Sequence, residues 1–179
     1  MTPMLRRWIM LALIVGTVLA IDQFSKGLIL DNLALGETAQ PIPALSDFFQ
    51  ITHSVNTGAA FGFLPQASDL FLVIAVVVVA AMFYFYPRLP DEAHPTRIAM
   101  GMLCGGALGN AVDRIIHDHV IDFIHYQVPA LGISNVSNFA DHMIVLGVII
   151  VLIDSWRLDR IRDREEAQAE ASPGENADA

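Results

Sequence analysis

Long apolar runs separated by polar, proline- and glycine-punctuated stretches set the organisation of this chain. The first run, Trp8 to Ile21, is uncharged and follows Arg6-Arg7. Alone it has the form of a secretory signal, with Val18-Leu19-Ala20 as a cleavage site. The apolar pattern resumes after Asp22-Gln-Phe-Ser-Lys26 and reaches Leu30, giving a segment long enough to cross about 30 Å of hydrocarbon. An uncleaved membrane helix is expected over about residues 8–30. A second run, Leu70 to Tyr86, stops at Pro87-Arg88. A third opens after Arg97 and runs from Ile98 to Val112, and a fourth runs from Met143 to Ile153 and closes with Trp156 and a cluster of arginines. The last two uncharged cores fall short of the ~20 residues of a spanning helix, so the polar residues flanking them must lie inside the helices. Helices are expected over about 68–86, 97–114 and 137–156. Gly101, Gly105, Gly106 and Gly109 in the third are spaced for close helix packing.

Residues 31–69 have a different character. Gly36, Pro41, Pro43, Gly58, Gly62 and Pro65 punctuate short mixed segments such as Phe48 to Val55, whose partial alternation of aromatic and β-branched residues predicts one or two strands. A small β element over about 33–66 is expected, with residues 115–136 as a second connection on the same side. Asn56-Thr-Gly-Ala-Ala-Phe-Gly62 is either a plain hairpin loop or a small-residue stretch that lets backbone approach another surface closely.

Composition agrees with a membrane protein of one compact domain: 54% of the 179 residues are hydrophobic and 16% charged, against about 45–50% and about 25% in soluble domains. The single cysteine, Cys104, excludes an internal disulfide and reads as a packed hydrophobe. Net charge is −9, but seven acidic against three basic residues fall between Asp159 and Ala179. Residues 158–179 therefore read as a solvated polar tail. Nucleic-acid binding has no support. Arg6, Arg7, Arg88, Arg97, Arg157, Arg160, Arg162 and Arg164 fall at one set of helix ends, with Lys26 and Arg114 at the other. The excess of basic residues on the inner side then puts both termini in the cytoplasm and every polar cluster at the outer face.

Ionisable residues beside membrane helices are expensive and point to function. Asp22 and Lys26, four apart, share a helical face and can pair. An interfacial ion pair with the lysine reaching outward and a site-lining pair both remain open. Asn110, Asp113 and Arg114 share a face at i, i+3 and i+4, and Asn138 and Asp141 are three apart. Arg114 is expected to neutralise Asp113, leaving the amides of Asn110 and Asn138 to satisfy other lone pairs. Asp122 and Asp141 then lack a cation, and two close carboxylates in a dry site share a proton. Such a pair can activate water against an amide without a metal or covalent intermediate. The rival readings are a polar latch between helices, a proton-coupled carrier, and a metal site built from His117, His119, His125, Asp118 and Asp122. The carrier would place its acids at the bilayer midplane in repeated halves, and no repeat is visible. The histidine spacing matches no zinc hydrolase pattern, and a connecting loop near headgroups is the simpler place for them. No serine lies in a nucleophile elbow.

Asp22-Gln-Phe-Ser-Lys26, Asn56-Thr-Gly-Ala-Ala-Phe61, Gly109-Asn-Ala-Val-Asp-Arg114, Val120-Ile-Asp-Phe123 and Asn138-Phe-Ala-Asp141, in that order over about residues 5–157, resemble the lipoprotein signal peptidase (signal peptidase II) family. The resemblance implies a mainly α membrane protein, with four transmembrane helices and a small extracytoplasmic β-cradle. It implies catalytic aspartates at Asp122 and Asp141, site-lining positions at Asp22, Lys26, Asn56, Asn110, Arg114, Asn138 and Ala140, and Asp113 as the acid beside the arginine. The implied reaction is cleavage of bacterial prolipoproteins before a diacylglyceryl-modified cysteine, in the cytoplasmic membrane and near its outer face. Diacylglyceryl-modified prolipoproteins, membrane lipid and globomycin-type inhibitors are the implied partners. No cofactor or metal is expected, and a monomer is. Asp118-His119 and His142 depart from the residues common in the family at those places.

Overall fold

A computed structural model describes residues 2–58 and 68–171. Helix α1 (Pro3–Asn32) starts where the Thr2 hydroxyl accepts from the Leu5 amide and Pro3 supplies a preset first helical residue. Strand β1 (Thr38–Ala39), a 3₁₀ turn at Pro43–Leu45 and strand β2 (Phe49–Asn56) follow. Helix α2 (Ser68–Phe85) ends in a 3₁₀ turn at Tyr86–Arg88. Helix α3 (His94–His117) stops at Asp118, whose φ of 63° is left-handed and turns the chain into strand β3 (Val120–Val128). Strand β4 (Ile133–Ser137) runs into helix α4 (Phe139–Ala171).

The architecture is mainly helical, with one antiparallel sheet in the order β1-β2-β3-β4. The sheet is larger than the sequence pattern indicated. Residues 115–136, read as a connection, supply β3 and the start of β4, so His125 lies on a strand rather than a loop. Helix α4 continues past Trp156 to Ala171, through a segment rich in alanine, glutamate and arginine, which favour helix without any apolar stripe. The stretch 59–62 of the Asn56–Gly62 motif lies outside the described residues.

Helix α3 is central and packs against α1, α2 and α4. At Gly106 a Cβ would stand 2.6 Å from the Ala140 carbonyl oxygen, and at Gly109 it would collide with the Asp22 carboxylate. Only glycine lets α1 and α4 come this close to α3. The other three helices are long and apolar enough to cross a membrane: Pro3–Asn32, Ser68–Arg88 and Phe139–Arg164. Helix α2 has no buried residue, and Val145, Leu146, Val148, Ile149, Leu152 and Ile153 of α4 are exposed, as lipid-facing side chains are. With α3 enclosed by its neighbours, Arg97, Asn110 and Asp113 are buried within it.

Two apolar clusters hold the ends. Leu11, Tyr86 and Met100 pack with Trp8, Val15, Met82 and Leu89 at one end, and Ile29, Ile121 and Phe123 with Leu33, Ile51 and Ile124 seat the sheet on the end of α1. The predicted basic ends meet at the first of these. Arg7 pairs with Asp91, and the Tyr86 hydroxyl donates to the Arg7 carbonyl at 2.8 Å. Arg97 donates to the carbonyls of Leu89 (2.7 Å) and Pro90 (2.9 Å). Arg157 donates to the Glu92 carbonyl at 2.9 Å. Asp154, buried on α4, accepts from the Thr96 amide and hydroxyl in the first turn of α3.

Candidate active site

At the opposite end, the first turn of α4 is held by side chains from outside the helix. Asn138 precedes Phe139 and accepts from the Asp141 amide through Oδ1 at 2.9 Å, an N-cap. Asp22 reaches from α1 to accept from the Ala140 amide at 3.0 Å. Two of the four amides that a helix start leaves open are thereby satisfied. Since Asn138 Oδ1 faces a backbone N–H, its Nδ2 points the other way, to Asp122 Oδ1 at 2.7 Å and to Asn110 Oδ1 at 3.2 Å.

Lys26 is 1% exposed and Asp22 0%, which rules out the outward-reaching lysine. Lys26 Nζ lies 2.8 Å from Asp22 Oδ2, 2.7 Å from Asp113 Oδ2 and 3.0 Å from Asn110 Oδ1, so the three donors of an ammonium are used. The expected Asp113–Arg114 pair is overturned here: the cation at Asp113 is Lys26. Successive residues on a helix point in different directions, and Asp113 turns toward α1 while Arg114 turns toward α2, its guanidinium 5.5 Å from the Phe71 ring centre. Arg114 donates to the Asn110 carbonyl at 3.2 Å, and among the described residues it has no carboxylate within ion-pair distance. Asp113 also accepts from Gln23 Nε2 (2.8 Å) and from the Ile121 amide (3.1 Å), which fixes β3 beside Asp122.

The two carboxylates singled out from the sequence meet across two amides. Asp122, 2% exposed on β3, accepts from Asn138 and, through Oδ2, from Asn56 Nδ2 at 3.1 Å. Asp141 Oδ1 accepts from Asn110 Nδ2 at 2.7 Å. Burial first, and the charge of Asp141 second, push the Asp122 carboxyl up to about 7, against the hydrogen bonds of Asn56 and Asn138 that favour its ionised form. Asp22, Lys26, Asn56, Asn110, Asp113, Asn138 and Ala140 all fall in this network, and Arg114 lies at its edge. Among the described residues no cluster of three or more histidine, cysteine or acidic side chains has metal-holding geometry.

A cavity of about 930 Å³ opens on this network, with Asn56, Asn110, Arg114 and Asp141 on its wall. Phe71 of α2 and Ile144, Val145, Leu146 and Ile149 of α4 form an apolar arm, and Tyr126 with Asn135, Val136 and Ser137 a polar arm along the sheet.

The family model described as signal peptidase (SPase) II matches residues 14–157. The chain belongs to the signal peptidase II family. The lipoprotein signal peptidase of Desulfitobacterium hafniense is 36% identical, over 87% of this chain and 96% of its own. That of Halothermothrix orenii is 33% identical over 86% and 100%, and that of Moorella thermoacetica 38% identical over 79% and 87%. A bacterial membrane enzyme solved by the in meso method at 2.3 Å resolution superposes with a TM-score of 0.70, 27% identity and coverage of 94% of this chain and 93% of that one. A second, at 1.9 Å, gives 0.68 and 31% over 80% and 90%. This signal peptidase II chain is therefore a protease of the membrane class.

Sequence reasoning passed over Gln23, whose Nε2 also reaches Asp22 Oδ2 and the Gly109 carbonyl, both at 3.2 Å. An amide within an apolar helix was the available signal. It also gave no role to His142, which lines the cavity, bonds the Asn138 carbonyl through Nδ1 at 2.6 Å and meets the Tyr126 ring edge-on at 5.8 Å.

Proposed function

We propose that this chain removes the signal peptide of bacterial prolipoproteins, cutting before a diacylglyceryl-modified cysteine, with Asp122 and Asp141 as the pair that activates water. One observation supports the mechanism: Asn138 Nδ2 donates to Asp122 Oδ1 and to Asn110 Oδ1, and Asn110 Nδ2 donates to Asp141 Oδ1, so a chain of two amides joins the carboxylates of two separate elements. Asp141 lies in the first turn of α4 and accepts from Asn110. Asp122, with its carboxyl raised to about 7, holds the shared proton. The ionised Asp141 takes a proton from water as the water attacks the scissile carbonyl, and Asp122 donates to that carbonyl oxygen. The roles then reverse, and the proton gained by Asp141 passes to the leaving nitrogen. Arg114, with no carboxylate in ion-pair distance among the described residues, supports the developing oxyanion.

The apolar arm between α2 and α4 suits acyl chains entering sideways from lipid, and the same cavity would take globomycin-type inhibitors. In this reading α3 is a fourth span shielded by the other three, residues 1–157 form the peptidase unit, and residues 158–179 are a cytoplasmic tail. Both termini are then cytoplasmic, the aspartates lie near the outer face, and the enzyme works as a monomer. The experiment is cleavage of a synthetic lipopeptide carrying a diacylglyceryl-cysteine by the purified full chain, compared with Asp122→Asn and Asp141→Asn. The reading predicts one cut before the modified cysteine and none in either variant. Turnover by a folded variant removes the dyad.

A further inference from the structure

The sheet ends in β4, and among the described residues its outer edge has no strand partner. Such an edge is a row of unused N–H and C=O groups, ready to pair with an extended chain. Three features make this edge part of the catalytic cavity. First, β4 runs directly into Asn138, the residue that donates to Asp122 and caps the helix turn carrying Asp141. Second, Asn135, Val136 and Ser137 line the cavity that Asp141 also lines. Third, backbone rather than side chain accounts for Val136 there. Val136 pairs with His125, and Asn135 with Tyr126, so alternation puts Asn135, Ser137 and Tyr126 on one face and Val136 and His125 on the other. His125 is tied on its face to Thr52 and Ser134, both at 2.9 Å. Tyr126, on the cavity side, meets His142 of α4. A residue whose side chain points away from the cavity yet borders it does so through its main chain. The opposite edge, β1, is two residues long and carries none of the cavity wall.

We propose that the free edge of β4 receives the precursor peptide as an added strand, so that main-chain hydrogen bonds to residues 133–137 deliver the scissile carbonyl to Asp122 and Asp141. This deepens the peptidase reading and rests on it. Strand addition takes affinity from the backbone and specificity from alternate side chains. The five residues of β4 accommodate a peptide stretch of similar length, at about 3.3 Å per residue. Tyr126 and His142 then flank the side chains that point into the cavity.

A strand pairs with one neighbour through every second residue. The test uses the full-length protein in detergent and a set of diacylglyceryl-cysteine lipopeptides N-methylated at one backbone nitrogen at a time, with kcat/KM read by mass spectrometry. The expected result alternates: N-methylation at every second position on one side of the scissile bond lowers kcat/KM about tenfold or more, while intervening positions change little. Cleavage of the unmodified lipopeptide with uniform tolerance, or with losses that do not alternate, overturns strand addition and leaves the peptidase reading intact. An unmodified lipopeptide that is not cut overturns both.

Discussion

Lys26 donates to the side-chain oxygen of Asn110 at 3.0 Å, and because an ammonium has no acceptor, the Asn110 amide is locked with its NH₂ toward Asp141 at 2.7 Å. The ion cluster on α1 and α3 thus decides which way a dyad ligand faces. Lys26→Met is expected to strand two buried carboxylates, Asp22 and Asp113, and to cost about 3–5 kcal/mol of stability. Adding Asp113→Asn should recover part of that loss while activity stays low, because the Asn110 oxygen then keeps only the longer Asn138 hydrogen bond, at 3.2 Å, to orient it. Thermal unfolding of the single and double variants in detergent, beside their turnover, checks both halves.

Activity should depend on pH through Asp122. Its folded-state value, about 7, lies above the ordinary 3.8, so the protonated form is favoured by the fold. Its contribution to stability is complete below about 3.8 and fades as pH rises toward 7. The one-proton dyad needs Asp122 protonated, so kcat/KM is expected to fall on the alkaline side with a midpoint near 7. Asn56 favours the ionised form, and Asn56→Ala should move that limb upward. A pH–rate profile whose alkaline limb stays in place or moves down in Asn56→Ala contradicts the assignment.

Replacing Gly109 by alanine should separate helices that the site requires to be close. The added methyl meets the Asp22 carboxylate and, at 3.4 Å, Ala140 Cβ. A loss of about 1–3 kcal/mol is expected, with lower yield of folded protein. Gly27→Ala, where a Cβ meets nothing within 4 Å, serves as the control and should be neutral or slightly stabilising. Equal melting temperatures for the two variants would show that the α1–α3 contact tolerates expansion.

Water activation by two carboxylates needs no metal, so turnover of the lipopeptide should survive a chelator. Loss of activity on chelation, restored by a divalent cation, would assign the chemistry to another centre.

The sequence determined much of this protein by itself. Apolar runs fixed the helices α1, α2 and α4, because a lipid-facing helix must be apolar along its length. Asp122, Asp141, Asn110 and Asn138 stood out because polar groups beside such runs are costly, and Asn56 entered through the family resemblance alone. Short-range patterns could not assign partners across long separations. The tertiary structure gave Asp113 to Lys26, 87 positions earlier, rather than to adjacent Arg114, since neighbouring helix residues diverge while packed helices converge. It also made Val120–Val128 and Ile133–Ser137 the strands that carry Asp122 and lead to Asp141, because a strand exists only through pairing with another. The choice of acids lay in the chain, and the direction each faces was decided by the packing of α1, α3 and the sheet around the start of α4.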